Sequence, residues 1–311
     1  MLTEKIKKFA KETGFDLVGI SKAELPGLHA DSVERWIEKG FAGSMDYMVR
    51  DGKRRAYPKE VLPGAESVIS LVINYFHPED PKPSVSAGKV AKYAYGTDYH
   101  KIIEKKLKLL TQLIREAGGP GTQVKGYVDT GPILEKAFAK ESGLGFFGKN
   151  TNIITKEFGS FVFLASLITN LELVYDTPHE GGCGSCRICI DACPTGALLG
   201  NYELDARRCI AYVTIEAKEE PFQEIKKGIG EWLFGCDICQ DVCPYNRKAK
   251  TTHHTELYPG KKAGTWVELD RLKEFKDEEE FKLAYQGSPL RRPKLKGLLR
   301  NAAMVEYNLQ S

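Results

Sequence analysis

The sequence predicts an α+β protein in two parts: an α/β-layered body and a small module organised by cysteines. Three observations carry this. Up to about residue 175, short β-branched runs alternate with stretches of helical apolar periodicity. All eight cysteines fall between Cys183 and Cys243, and none occurs before them. Beyond residue 250 the chain turns polar and aromatic and then basic, with five cations and no acid in residues 288–300. The expected parts are a body at 1–175, a cysteine module at 176–250 and a C-terminal segment at 251–311, partly helical and packing on the body.

The elements follow from local pattern. Leu2, Ile6, Phe9 and Ala10 recur at helical spacing until Gly14, so residues 2–13 read as a helix. Residues 15–20 read as a strand. A second helix is expected from Asp31 or Ser32, burying Val33, Trp36 and Ile37. Residues 53–58 make a basic loop, and the nearly continuous apolar run at 67–75 reads as a strand buried on both faces. Prolines among polar residues at 77–88 indicate a loop. A long helix follows, capped near Thr97 or Asp98 and ended by Gly118-Gly119-Pro120. Next come a strand at 123–128, a helix with Pro132 in its first turn, and a hairpin of 152–155 with 161–169 that turns at Phe158-Gly159.

Composition bounds the class. The chain has 311 residues, 42% hydrophobic and 28% charged, which suits a folded globular protein. No apolar run reaches 18 residues and the amphipathic N-terminus has no signal-peptide core, so no membrane partner and a cytoplasmic setting are expected. The net charge of +3 neither demands nor excludes nucleic acid.

The chemistry is densest in the cysteines. Cys183-Gly-Ser-Cys186-Arg-Ile-Cys189-Ile-Asp-Ala-Cys193-Pro194 is the C-x2-C-x2-C-x3-C-P run of two-cluster 4Fe–4S ferredoxins. Cys236-Asp-Ile-Cys239-Gln-Asp-Val-Cys243-Pro244 repeats it without the third cysteine, which Cys209 can replace. In such ferredoxins the last cysteine of a run ligates the other cluster. That assigns Cys183, Cys186, Cys189 and Cys243 to one cluster, and Cys193, Cys209, Cys236 and Cys239 to the second. Zinc sites call for paired C-x2-C units and do not explain the third cysteine or the C-P ending.

Other residues stand out less sharply. Asp129 falls at the C-terminal end of a strand just before a helix, where layered folds collect catalytic side chains, although Asp129 or Thr130 could equally cap that helix. A large apolar cofactor over Asp129 would raise its pKa and make it a proton donor. Gly143-Leu-Gly145-Phe-Phe-Gly148 follows a helix and leads to a strand, the reverse of a dinucleotide fingerprint, so it reads as a tight turn. Arg55 could grip a phosphate or carboxamide. Tyr93, Tyr95, Tyr99 and His100 could line a flat cofactor or pack in the core. His253 and His254 read as surface residues.

Taken together these stretches resemble the epoxyqueuosine reductase family of cobalamin- and iron–sulfur-dependent enzymes of tRNA modification. The resemblance rests on Lys53-Arg-Arg55 with Pro58, Tyr95-Gly-Thr-Asp-Tyr-His100, Val128-Asp129-Thr130-Gly131, Gly145-Phe-Phe-Gly-Lys-Asn150, residues 208–216, both cysteine runs and Arg300-Asn-Ala. It implies a reductive-dehalogenase-like fold: a nitroreductase-like cobalamin-binding domain joined to a two-cluster ferredoxin module. It implies reductive removal of the epoxide oxygen of epoxyqueuosine at the tRNA wobble position. Two electrons pass through the clusters to cobalamin held base-off, and Asp129 is the proton donor. Arg55, Ile153, Leu164, Ile210, Thr214 and Lys218 are then expected to contact cobalamin or the tRNA near it. Cations from Arg291 to Arg300 would hold the tRNA backbone, and a low-potential donor such as flavodoxin or ferredoxin would supply a monomeric enzyme. Two departures stand: many members continue with helical repeats past the Arg-Asn-Ala segment, and Ala91 stands where some carry a cysteine. The rival readings are a corrinoid reductive dehalogenase acting on a small molecule and a ferredoxin-type electron carrier.

Overall fold

The computed structural model describes residues 1–310; Ser311 and the side chain of Lys53, both within stretches singled out above, lie outside the described residues. The chain divides into two compact units. The first comprises Met1–Gly40, Asp46–Asn74 and His100–Gly184; the second comprises Phe41–Met45, Tyr75–Tyr99 and Ser185–Ser311. The expected C-terminal segment falls in the second unit, with seven of the eight cysteines and with residues 75–99 of the expected body. None of the described helices is long and apolar enough to cross a membrane.

The first unit is built on a four-stranded antiparallel sheet in the order Leu17–Lys22, Ser67–Asn74, Val162–Thr169, Val124–Tyr127. All eight residues of Ser67–Asn74 are buried, as the apolar run predicts. Val68 and Ile168 face Phe138 and Ile133, while Val72 faces Ala139, Leu144 and Ile153. The helix Glu135–Glu141 lies over this face. The helix Tyr99–Gly118 covers part of the opposite one: a Cβ on Gly126 would come within 2.9 Å of Leu167 and 3.6 Å of Leu107. Each fully buried Val, Ile or Leu contributes about 1.5–3 kcal/mol, so this strand is the main apolar anchor of the unit.

Three local expectations change. The second helix spans Gly27–Glu38, because Ser32 is internal to it and donates to the Leu28 carbonyl at 2.7 Å. Its buried residues are His29 and Ala30, with Val33, Trp36 and Ile37 half-buried. The basic loop is a 3-10 turn, Lys53–Ala56, followed by a short helix, Pro58–Val61. The expected hairpin keeps its turn, where the Thr155 hydroxyl donates to the Gly159 carbonyl and accepts from Phe158 N–H. Its arms part: Ile153–Ile154 pairs with Phe146–Phe147, and Val162–Thr169 enters the large sheet.

The second unit holds a three-stranded sheet that the sequence does not reveal. Ala87–Val90 lies between Trp232–Phe234, parallel to it, and Trp266–Glu268, antiparallel. Its middle must be small: a Cβ on Gly88 would stand 2.6 Å from Leu233 and 3.1 Å from Leu269. Val90, Tyr95, Phe234, Phe281, Leu290, Leu298 and Val305 pack there, so residues beyond 250 supply much of the core. That is why the C-terminal segment folds with this unit.

The last helix, Lys294–Gln310, is fastened by its polar residues. Asn301, fully buried, donates from Nδ2 to the carbonyls of Thr214 at 2.7 Å and Leu233 at 3.0 Å. Arg300 donates to the carbonyls of Val213 at 2.6 Å and Ala217 at 2.7 Å, satisfying the free end of the helix Ile210–Ile215. Arg300 is therefore spent on the fold rather than offered to a ligand. Asn301→Ala leaves two buried carbonyls without their donor and is expected to cost about 2 kcal/mol or more, seen as a lower urea midpoint. Lys296→Ala, on the exposed side of the same helix, should stay within about 0.5 kcal/mol of the parent.

Candidate active site and metal centre

The two cysteine runs fold alike. A single helical turn follows the first cysteines in each, Ile188–Asp191 in one and Ile238–Asp241 in the other, and the two turns pack together. Cys193 N–H donates to the Ile190 carbonyl and Cys243 N–H to the Gln240 carbonyl, so each run closes on the same bond before its proline. None of the eight cysteines is joined in a disulfide.

Burial pushes the Cys236 thiol up, and the nearby Cys209 and Cys193 push it further. Burial likewise raises Cys239, with Cys236, Cys209 and Cys189 adding to it. Thiols crowded in a poorly solvated place resist ionisation until a cation joins them. The donor set suits a metal cluster and not a reactive thiol. Behind it, the Lys92 N–H donates to Asp237 Oδ2 at 2.7 Å and the Lys92 ammonium meets Asp241 Oδ1 at 2.7 Å. Burial pushes Asp237, 1% exposed, up to about 6 against the pull of Lys92.

In the first unit, Cys183 accepts from the Lys149 N–H at 3.4 Å, while Lys149 Nζ holds the Gly184 carbonyl at 2.7 Å. The glycine-rich run before Lys149 is not the single tight turn expected: Phe146–Phe147 within it is a strand paired with Ile153–Ile154, and a Cβ on Gly145 would strike the Ile154 carbonyl oxygen at 2.4 Å.

Asp129 closes the strand Val124–Tyr127 in a left-handed backbone conformation, φ 56°. Only a few residue types besides glycine accept that region readily, and Asp is one. Neither Asp129 nor Thr130 caps the next helix, which begins at Glu135 with Leu134 as an uncapped N-cap, so the capping alternative falls. Pro132 lies in the turn between them rather than in the first turn of the helix. The Asp129 N–H instead donates to Glu135 Oε2 at 3.0 Å. His100 Nε2 stands 3.4 Å from Asp129 Oδ2, and the Asp129 side chain is 54% exposed, so the chain alone does not bury it.

Arg55, 5% exposed, braces the same turn. Its Nη1 donates to the Gly131 carbonyl at 2.8 Å, and its own carbonyl accepts from Leu134 N–H at 2.9 Å. Its buried Nε has no partner among the described residues.

The remaining expected contacts divide between the units. Ile153 and Leu164 pack together with Val72 in the first. Ile210 and Thr214 lie one turn apart on the helix Ile210–Ile215 in the second, with exposed Lys218 beyond its end. The Thr214 hydroxyl donates to the Ile210 carbonyl at 2.8 Å and accepts from Gly235 N–H at 2.9 Å, so it is committed within the fold. Tyr95 is core rather than cofactor wall, and His254 is buried rather than on the surface. Glu135 was not singled out by sequence. An acid in a first helical turn is commonplace, and only the turn at Asp129 brings it back to that residue.

A family model described as Epoxyqueuosine reductase QueG, DUF1730 matches residues 55–130, and one described as a 4Fe-4S double cluster binding domain matches residues 182–246. The epoxyqueuosine reductase of Leadbetterella byssophila is 43% identical, covering 98% of this chain and 98% of that protein. The chain belongs to the epoxyqueuosine reductase family. An epoxyqueuosine reductase solved with an epoxyqueuosine-modified tRNA-Tyr stem loop superimposes with a TM-score of 0.92 at 32% identity, covering 99% of this chain and 82% of that one. The catabolic reductive dehalogenase NpRdhA shares the fold alone, with a TM-score of 0.51 at 16% identity, over 99% of this chain and 36% of its own. This member is thus an oxidoreductase with the expected reductive-dehalogenase-like fold and a double 4Fe–4S module.

Cys209 is expected to serve one cluster only. Cys209→Ser should therefore lower iron and acid-labile sulfide to about half the parent content while the other cluster persists. Iron analysis beside electron paramagnetic resonance of the reduced protein checks this.

Proposed function

We propose that this chain reduces epoxyqueuosine in the anticodon loop of tRNA to queuosine and water, with Asp129 as proton donor. The observation that carries the reading is the Asp129 turn. An acid stands half-exposed on a constrained backbone, with Arg55 bracing the Gly131 carbonyl behind it and His100 beside its carboxyl.

Loss of an epoxide oxygen takes two electrons and two protons. Breaking a C–O bond leaves an alkoxide, a poor leaving group unless it is protonated, and a positioned general acid is worth about 10²–10⁴ in rate. Asp129 presents its carboxyl for that step. The His100 imidazole can hold its ionised form afterwards.

Two 4Fe–4S clusters would be held by Cys183, Cys186, Cys189 and Cys243 and by Cys193, Cys209, Cys236 and Cys239, and would supply electrons one at a time. Cobalamin would supply a cobalt centre able to pass those electrons to a carbon–oxygen bond. The chain offers it a group of the right kind: the buried Arg55 Nε–H lacks an acceptor, as an amide-bearing cofactor would supply, while Ile153 is packed into the apolar cluster beside the sheet. Leu164, Ile210 and Lys218 complete the set, with Thr214 holding the helix that carries Ile210. For the tRNA backbone, Arg300 is withdrawn by its carbonyl bonds and Arg292 is tied to Glu216 at 2.6 Å, which leaves Arg291, Lys294 and Lys296. A wobble base is reached by turning it out of the loop. A low-potential one-electron donor, monomeric action and a reducing cytoplasm suit eight cysteines without a disulfide and a tRNA substrate.

The test is a reconstituted reaction. Anaerobic protein, cobalamin, a low-potential reductant and epoxyqueuosine-bearing tRNA are combined, and nucleosides are read by mass spectrometry. The parent should form queuosine, and Asp129→Asn should form it at least about 100-fold more slowly. An Asp129→Asn protein as fast as the parent removes Asp129 from the mechanism. Failure of the parent to bind cobalamin favours an electron carrier.

A further inference from the structure

Reductive loss of the epoxide oxygen consumes two protons, and Asp129 carries one. Behind it stands a second carboxyl. Glu135 is half-buried as a residue, but its Oε1 is shut from solvent. Oε2 accepts the Asp129 N–H at 3.0 Å, and Oε1 has no partner among the described residues. The titratable and charged groups facing Glu135 are Asp129 from the turn after Val124–Tyr127, Arg55 from the turn Lys53–Ala56, and His100 from the first turn of Tyr99–Gly118. Neither cation is hydrogen-bonded to Glu135. Arg55 Nη1 is held by the Gly131 carbonyl, and His100 is turned to Asp129. A carboxylate buried beside another acid with an empty oxygen is costly, whereas the neutral acid uses one oxygen as acceptor and keeps its proton on the other.

We propose that Glu135 is the second acid of this reaction, storing a proton behind Asp129 and passing it to the Asp129 carboxylate once Asp129 has protonated the substrate oxygen. The inference rests on the proposed function. Its steps balance. The Asp129 O–H bond breaks and its proton goes to the substrate oxygen as the first C–O bond opens. The Glu135 O–H bond then breaks and a new Asp129 O–H forms. That second proton goes to the hydroxyl as the remaining C–O bond opens and water leaves. The two electrons come from the low-potential one-electron donor and end in the new C=C bond. Arg55 and His100 steady the Glu135 carboxylate left behind, and the half-exposed Asp129 brings a proton back from solvent. Glu135 touches neither substrate nor cofactor and acts only through Asp129. Burial first, and Asp129 second, push the Glu135 carboxyl well above the usual carboxylate range, which favours the form that holds a proton.

The experiment compares the parent, Glu135→Gln, Glu135→Ala and Asp129→Asn. Infrared spectra of the chain without cobalamin or tRNA should show a protonated-carboxyl band at neutral pH that survives Asp129→Asn and vanishes in Glu135→Gln. Queuosine formation by the holoenzyme is then followed against pH. The parent should be flat through the neutral range. Glu135→Gln keeps an acceptor for the Asp129 N–H but stores no proton, so its rate should fall about tenfold for each pH unit above neutral. Glu135→Ala also loses the acceptor and should be slow at every pH. A Glu135→Gln profile that matches the parent overturns the inference and leaves Glu135 a purely structural bond, as does the absence of the band in the parent. Full activity of Asp129→Asn sinks the Asp129 reading itself, and the infrared result then reports on Glu135 separately.

Discussion

The Asp129 N–H to Glu135 bond is the constraint on which the first unit's chemistry depends. A strand ends, the backbone enters the left-handed region for one residue, and the N–H that this exposes needs an acceptor. Glu135 provides it from the next helix, and the price is a carboxyl oxygen shut from water. Arg55 closes the turn from the other side through Gly131 and Leu134. The strand Ser67–Asn74 makes this arrangement firm. It is buried along its whole length, and the face that packs against the helix Glu135–Glu141 fixes where that helix begins. Packing thus sets the position of a helix, the helix sets a carboxyl, and the carboxyl sets the backbone that carries the acid.

The second unit uses a different logic. Its cysteine runs contribute little apolar surface, and their shape comes from short helical turns with repeated backbone bonds. The thiols resist ionisation where they stand, so metal binding and folding of this stretch are thermodynamically linked. Around them the unit draws on distant parts of the chain. The Ala87–Val90 strand, the Trp232–Phe234 strand and the last helix meet in one core, and Asn301 and Arg300 tie that helix to carbonyls near Thr214.

What could be read from sequence follows from the range of each signal. The cysteine spacing is local and chemically specific, so the runs stood out at once. The apolar run at 67–75 and the periodicity of the Tyr99–Gly118 helix are likewise local, and both elements lie where they were expected. Ala87–Val90 did not stand out, because Gly88 and Lys89 break its apolar pattern and its partners lie far away in sequence. The expected hairpin separated because Val162–Thr169 gains two neighbours in the large sheet that a hairpin could not provide. At the site, Asp129 was visible as an acid at a strand end, whereas Glu135 and the buried state of Arg55 are products of tertiary packing. The five cations near the end looked equivalent, yet Arg300 is internal and Arg292 is paired.

The left-handed residue at Asp129 also narrows what evolution can do there. Aspartate and asparagine tolerate that backbone, while a longer acid or a β-branched residue meets strain. Exchanging Asp129 for glutamate, the usual conservative replacement for an acid, would change both the reach of the carboxyl and the comfort of the chain. The position is therefore open to a neutral twin in asparagine but closed to a longer one, and a lineage that lost the acid could keep the shape of the turn unchanged.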